Sequence, residues 1–142
     1  MIKHLLPILV LFGTGCSSFH GKWKSAVAQP IPPNEISGPW EGRWVSDKNA
    51  HTGRLRCVMT AAGDGNYHAH FHAVYWKIFR VAYEVPFVAT KEGTNFTFSG
   101  ESDLGKLAGG IYTYEGTATP VQFDATYNSK YDRGRFEMKR PD

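Results

Sequence analysis

Thr52-Gly53-Arg54-Leu55-Arg56-Cys57-Val58-Met59-Thr60-Ala61 is followed by Ala62-Gly63-Asp64-Gly65-Asn66 and then by Tyr67-His68-Ala69-His70-Phe71-His72-Ala73-Val74-Tyr75-Trp76. Leu55, Cys57, Met59 and Ala61 recur at every second place, with Arg54, Arg56 and Thr60 between them. That is the period of a strand with one dry face and one wet face. Gly63-Asp64-Gly65-Asn66 supplies residues that tolerate positive φ, the chemistry of a hairpin turn. The stretch therefore reads as two antiparallel strands joined by a tight turn.

The same grammar runs outward in both directions. Downstream, Phe79–Thr90 aligns Phe79, Val81, Tyr83, Val85, Phe87 and Ala89. Glu92-Gly93-Thr94-Asn95 turns into Phe96–Gly100, and a Gly-rich loop leads to Gly110–Thr119. Thr119-Pro120 breaks that run, Val121–Asn128 follows, and Tyr131-Asp132-Arg133-Gly134 turns into a last strand carrying Phe136 and Met138. Upstream, Trp40–Ser46 makes the first strand. This predicts an all-β domain, a single antiparallel meander of about eight short strands closed into a small barrel, with a two-sheet β-sandwich as the alternative. Closure removes the exposed edges that an open sheet would offer to other chains. One corner lacks a signal. No Gly, Pro, Asn or Asp falls between Ala69 and Val85, so a long bent strand or a short helical turn is expected near Trp76-Lys77.

Composition excludes several classes of function. The chain has 142 residues, 16 basic against 13 acidic, and a formal charge of +3. With no block of Lys or Arg, that excess argues for no nucleic acid among the partners. Two cysteines cannot make a disulfide scaffold or a four-thiolate zinc site.

The N-terminus reads as an address. Lys3 and His4 precede the apolar run Leu5–Phe12, and eight residues rise only ~12 Å as a helix against a ~30 Å hydrocarbon core. A short basic flank, a short apolar core and small residues after it describe an export signal. Gly13-Thr14-Gly15-Cys16 resembles the lipobox of bacterial lipoproteins. The resemblance implies cleavage before Cys16, diacylation of that cysteine and a membrane partner through the lipid anchor. With Ser17 following, it implies the outer membrane of a bacterial envelope, facing the periplasm. The expected organisation is a signal peptide over 1–15, a Cys-anchored Pro-rich tether over 16–39 and a barrel domain over 40–142. In the tether, Gln29-Pro30-Ile31-Pro32-Pro33-Asn34 favours an extended chain.

Gly42-Arg43-Trp44 in the first strand, with Arg140 at the end of the last, resembles the lipocalin pattern. In that family a G-x-W tryptophan closes one end of the barrel and a late basic residue packs across it. The resemblance implies a lipocalin-like barrel with Trp44 as plug and Arg140 as lid, a structural pair held by cation–π contact.

The one constellation with metal-like spacing is His68-Ala69-His70-Phe71-His72, since alternate residues of a strand share a face. Two registers are open for the hairpin. A two-residue Asp64-Gly65 turn sets Cys57 opposite His72, so Cys57, His70 and His72 converge as candidate ligands for zinc or another transition metal. A three-residue loop sets Cys57 opposite Phe71, packs the apolar residues together and turns the histidines to solvent. In that register no cofactor is implied and Cys57 is a small core hydrophobe. No hydrolase elbow surrounds Ser99, Ser102 or Ser129, and Asp103–Gly110 lacks the phosphate-loop order.

Three functions follow from these readings. An eight-stranded barrel can hold one small apolar ligand or lipid, with Tyr83, Phe96 and Phe98 as candidate lining. A structural or assembly lipoprotein would instead meet an envelope protein through surface residues such as Arg54, Arg56 and Tyr75. A metal-dependent enzyme would use His70 and His72. No catalytic residue is assigned by any motif.

Overall fold

A computed structural model describes residues 8–106 and 109–142. Helix α1 (Ile8–Val27) precedes eight strands: β1 (Gly38–Ser46), β2 (Thr52–Gly63), β3 (Asn66–Tyr75), β4 (Phe79–Glu92), β5 (Asn95–Asp103), β6 (Ile111–Ala118), β7 (Gln122–Asn128) and β8 (Arg133–Lys139). Each strand pairs antiparallel with the next, and β1 pairs with β8, so the meander closes into a barrel rather than a sandwich. The turns 47–51 and 76–78, the described residues 104–106 and 109–110, and the turn 129–132 lie at one end, here called the upper rim. The turns 64–65, 93–94 and 119–121 lie at the lower end.

Alternation puts the large residues inside. Tyr67, Ala69, Phe71 and Ala73 of β3, Phe123, Ala125 and Tyr127 of β7, and Phe136 and Met138 of β8 are all buried. Aromatic rings fill the interior one against another. Phe87 and Phe98 stand 4.8 Å apart, as do Phe98 and Phe123, and Phe71 lies 5.3 Å from Phe136. Such offset and tilted pairs are favoured arrangements for rings in a core.

The β2–β3 hairpin combines both expected geometries. Gly63 pairs with Asn66 across a two-residue Asp64-Gly65 turn, with φ of 54° and 78°. A bulge between Ala61 and Gly63 absorbs one residue, and beyond it Cys57 faces Phe71 and Met59 faces Ala69. The extra residue in one strand decouples turn type from register. Burial of Leu55, Cys57 and Met59 with Ala69, Phe71 and Ala73 then decides which face turns inward.

The corner after β3 is neither a bent strand nor a helical turn. Trp76 and Lys77 both hold left-handed backbone, φ 51° and 67°, and the Ile78 N–H donates to the Tyr75 carbonyl at 3.2 Å. Two consecutive positive φ values match the right-handed twist of the flanking strands. Neither residue type announces that conformation.

The Trp–Arg pair forms with a different tryptophan. Arg140 stacks over Trp40 at 4.0 Å, while Trp44 sits near the upper rim, against Tyr75 at 4.8 Å, its Nε1–H donating to the Val74 carbonyl. Gly38-Pro39-Trp40 is also a G-x-W triplet, and it stands at the end where Arg140 emerges. Arg140 donates to the carbonyls of Glu35, Pro39 and Pro120 at 2.8, 3.1 and 2.9 Å. Beside it Ile36 is fully buried, and its carbonyl accepts the Trp40 Nε1–H at 2.9 Å. Glu35 accepts from the Tyr67 hydroxyl at 2.7 Å. Burial pulls the Glu35 carboxyl upward, but Tyr67, the Ile36 and Ser37 N–H groups and Lys91 together hold it below the usual carboxylate range.

The segment expected as a free tether is ordered against the barrel. Its first part belongs to α1, where Phe19 and Trp23 are buried one turn apart on the outer wall with Val58. Phe19 stacks on His72 at 5.1 Å and Trp23 on the Arg56 guanidinium at 4.9 Å. The last part, Glu35 to Gly38, seals the lower end. Spacing i, i+4 of two large aromatics explains the docking, and the prolines 30, 32 and 33 lie only in the link between helix and seal.

Candidate functional site

The histidines lie on the outer wall of β3. His68 contacts the Glu84 carboxylate, His70 stands 3.7 Å from the same residue, and His72 carries Phe19. Cys57 points into the core and is fully buried, and burial pushes its thiol up. The structure thus separates Cys57 from His70 and His72 by the thickness of the sheet. Among the described residues, no group of three His, Cys, Asp or Glu is placed to hold a metal ion. Burial lowers the His70 imidazole pKa, and Lys22 and His68 add to this while Glu84 opposes it. Burial also lowers His72, reinforced by Arg56, Arg80 and Arg54.

Tyr83, Phe96 and Phe98 do not line a common space. Tyr83 stacks on Phe71 in the upper half, whereas Phe98 packs on Phe87 and Phe123 and Phe96 lies against Tyr67 toward the lower end. Arg54, Arg56 and Tyr75 do not share a surface either. Arg56 lies beneath Trp23, and Tyr75 packs inward on Trp44.

What the strands do assemble is a cluster of phenols just below the upper rim. Tyr75, Tyr83, Tyr112, Tyr114 and Tyr127 come from four strands and surround an interior cavity of about 30 Å³. Tyr127 donates to Asp132 at 3.0 Å, the Ser46 hydroxyl donates to the other Asp132 oxygen at 2.6 Å, and Ser102 and Tyr114 share a hydrogen bond of 3.0 Å. Burial raises Tyr75, Tyr83 and Tyr127 above the ordinary phenol value and pushes Tyr114 up to about 12. Those four phenols are neutral at physiological pH, and Tyr127 holds the 129–132 turn through Asp132.

Compared with protein-family models, with curated proteins and with solved structures, the chain matches none.

Above the phenols the barrel wall ends in apolar side chains. Trp76 is 70% exposed, Ile78 71% and Phe79 53%, with the Trp76 and Phe79 rings edge to face at 5.6 Å. Ile111 and Tyr131, at the ends of neighbouring turns, are exposed as well. These five are more than half of the nine large hydrophobic residues exposed among the described residues. A second concavity, of about 360 Å³, lies outside the barrel between α1 and the wall, bordered by Phe19, Lys22, His70, Tyr83 and Glu84. Sequence reasoning missed the rim because the corner near Trp76-Lys77 reads as a long bent strand or a short helical turn rather than as an exposed tip. The absence of turn residues there was the available signal.

Proposed function

We propose that the chain is a lipid-anchored envelope protein of the structural or assembly kind, held by an acylated Cys16 and working through the outer surface of a filled barrel. The observation that carries this reading is the interior space of about 30 Å³, set against pockets of ~300–1,000 Å³ that bind small molecules. An exposed apolar rim beside a filled interior favours contact at the surface over capture inside. The lipobox-like residues and the Ser17 that follows Cys16 support anchoring at the outer membrane. Two acyl chains on one residue give stable attachment where one does not. A second reading rests on the groove under α1, whose volume falls in the ligand range.

Titration with an apolar fluorescent naphthylamine separates the readings. The native chain is expected to leave its emission unchanged, and Phe71→Ala, which empties part of the core, is expected to bind it. Binding by the native chain that Phe19→Ala abolishes would favour the groove, and native binding indifferent to that change would defeat the filled-barrel reading. The mass of the mature protein tests the anchor. A diacylated Cys16 N-terminus is expected, and an unmodified one would sink it.

A further inference from the structure

The four turns of the upper rim share a feature that the lower turns lack. Each carries one exposed lysine: Lys48 in 47–51, Lys77 in 76–78, Lys106 in 104–106 and Lys130 in 129–132. The lower turns 64–65, 93–94 and 119–121 contain no Lys or Arg. Among the described residues none of the four lysines is ion-paired. The acidic side chains at the rim are otherwise engaged. Asp47 pairs with Arg135 at 3.3 Å, Asp132 accepts from Ser46 and Tyr127, and Asp103 accepts the Gly105 N–H at 2.9 Å. The exposed apolar side chains share these turns: Trp76, Ile78 and Phe79 flank Lys77, Ile111 follows the turn of Lys106, and Tyr131 is next to Lys130.

We propose that the upper rim is a membrane-docking face that seats on an anionic phospholipid bilayer, with Trp76 and Ile78 entering the headgroup region and the four lysines meeting phosphates. This names the partner of the surface reading above and rests on it. Trp is favoured at the boundary between headgroups and acyl chains, where its ring meets both media. Long lysine stems reach headgroups while apolar neighbours sink below them. An apolar tip alone would suit a protein groove, and a lysine ring alone would suit any polyanion. Both kinds of side chain on the same turns fit a charged, extended, two-layered surface.

The helix supplies an independent observation. His20 borders Arg54, Val74 and Arg80 of the upper wall, whereas Ala26 and Gln29 border Thr60 and Ala61 near the lower end. α1 therefore descends from the rim, and the backbone of Cys16, one turn before Phe19, lies on the rim side of the docked segment. A lipid on Cys16 and the loop tips would approach the same surface.

The test uses the full chain with vesicles of phosphatidylglycerol and phosphatidylcholine, some carrying brominated acyl chains, and with vesicles of phosphatidylcholine alone. The Trp76 contribution is the difference in emission between the native chain and Trp76→Asn, a residue that tolerates the left-handed backbone. That contribution is expected to shift blue and to be quenched by brominated lipid only when phosphatidylglycerol is present. Replacing each lysine by Gln is expected to weaken the phosphatidylglycerol-dependent binding about fivefold, the equivalent of the usual increment per basic residue near an anionic surface. The fourfold Lys48/77/106/130→Gln variant, changed only at exposed turns, should keep its far-ultraviolet dichroism and lose the quenching. Trp76 emission that stays unquenched while the chain is vesicle-bound would overturn the proposal, since only the N-terminus would then be attached. Equal quenching on both vesicle types would overturn it too. Either result leaves the filled-barrel reading standing, because the naphthylamine and mass measurements decide that one separately.

Discussion

Arg140 closes the lower end of the barrel with one side chain. Its planar fork satisfies three carbonyls from three separate segments, and its flat face covers Trp40. Lysine cannot reproduce that geometry, because its donors cluster on one atom. Arg140→Ala is expected to cost about 3 kcal/mol in urea unfolding, through half-buried carbonyls left unpaired and a tryptophan face uncovered. Arg140→Lys should recover less than half of that. The role of Arg140 was legible in the sequence, but its partner was not. Trp40 and Trp44 both point inward from β1 at heights about 13 Å apart, and each follows a glycine by two places. Only the β1–β8 register, with Glu41 opposite Lys139, brings Trp40 level with Arg140. That register belongs to barrel closure, a contact between chain ends that no local pattern encodes.

At the scale of elements, the least expected feature is the helix on the wall. Its buried face is short, Phe19 and Trp23 with support from Ala26, and the wall beneath it offers only Val58 and Ala82 as apolar partners among polar side chains. Four basic or titratable groups underlie it from β2 and β3: Arg54, Arg56, His70 and His72. β4 adds Arg80 and Glu84, and α1 itself brings Lys22. Burial and these cations hold both histidines below their ordinary pKa of about 6.5 in the folded state. The unfolded or undocked state therefore binds protons first as pH falls, so docking is fully supported above 6.5 and weakens below it. Amide protection of residues 19–27, taken relative to the intrinsic exchange rate at each pH, is expected to fall between pH 7 and pH 5, with the protection of the barrel strands unaffected, and His72→Gln should flatten that dependence. A pH-independent protection factor would show that the imidazoles contribute nothing to docking. The strands themselves were readable because alternation and turn residues agree along most of the chain. The helix was not, since its aromatics sit among glycine, serine and lysine and before a run of prolines.

Over the whole molecule the barrel depends on closing, and closing depends on two bare backbone positions. A Cβ on Gly42 would stand 1.9 Å from the Glu137 carbonyl oxygen and 2.8 Å from the Met138 Cα, across the β1–β8 seam. On the same seam, a Cβ on Gly134 would stand 2.0 Å from the Val45 carbonyl oxygen. These are collisions with backbone, so relief requires the strands themselves to separate. The seam is also the join between the ends of the meander, and every interior ring packs on a sheet that it completes. Gly42→Ala is therefore expected to destabilise the protein by about 1–3 kcal/mol, the usual cost of overpacking. Its loss should appear throughout the barrel rather than at one edge. Urea transitions followed by tryptophan emission and by far-ultraviolet dichroism should move to lower concentration together. If the dichroism transition stays in place while emission moves, the seam opens alone and closure is not what holds the barrel. The wild-type aromatic stack argues for the joint shift. Phe71, Tyr114 and Phe136 bridge β3, β6 and β8 across the interior, so parting β1 from β8 strips water-excluding contacts from strands on the far side.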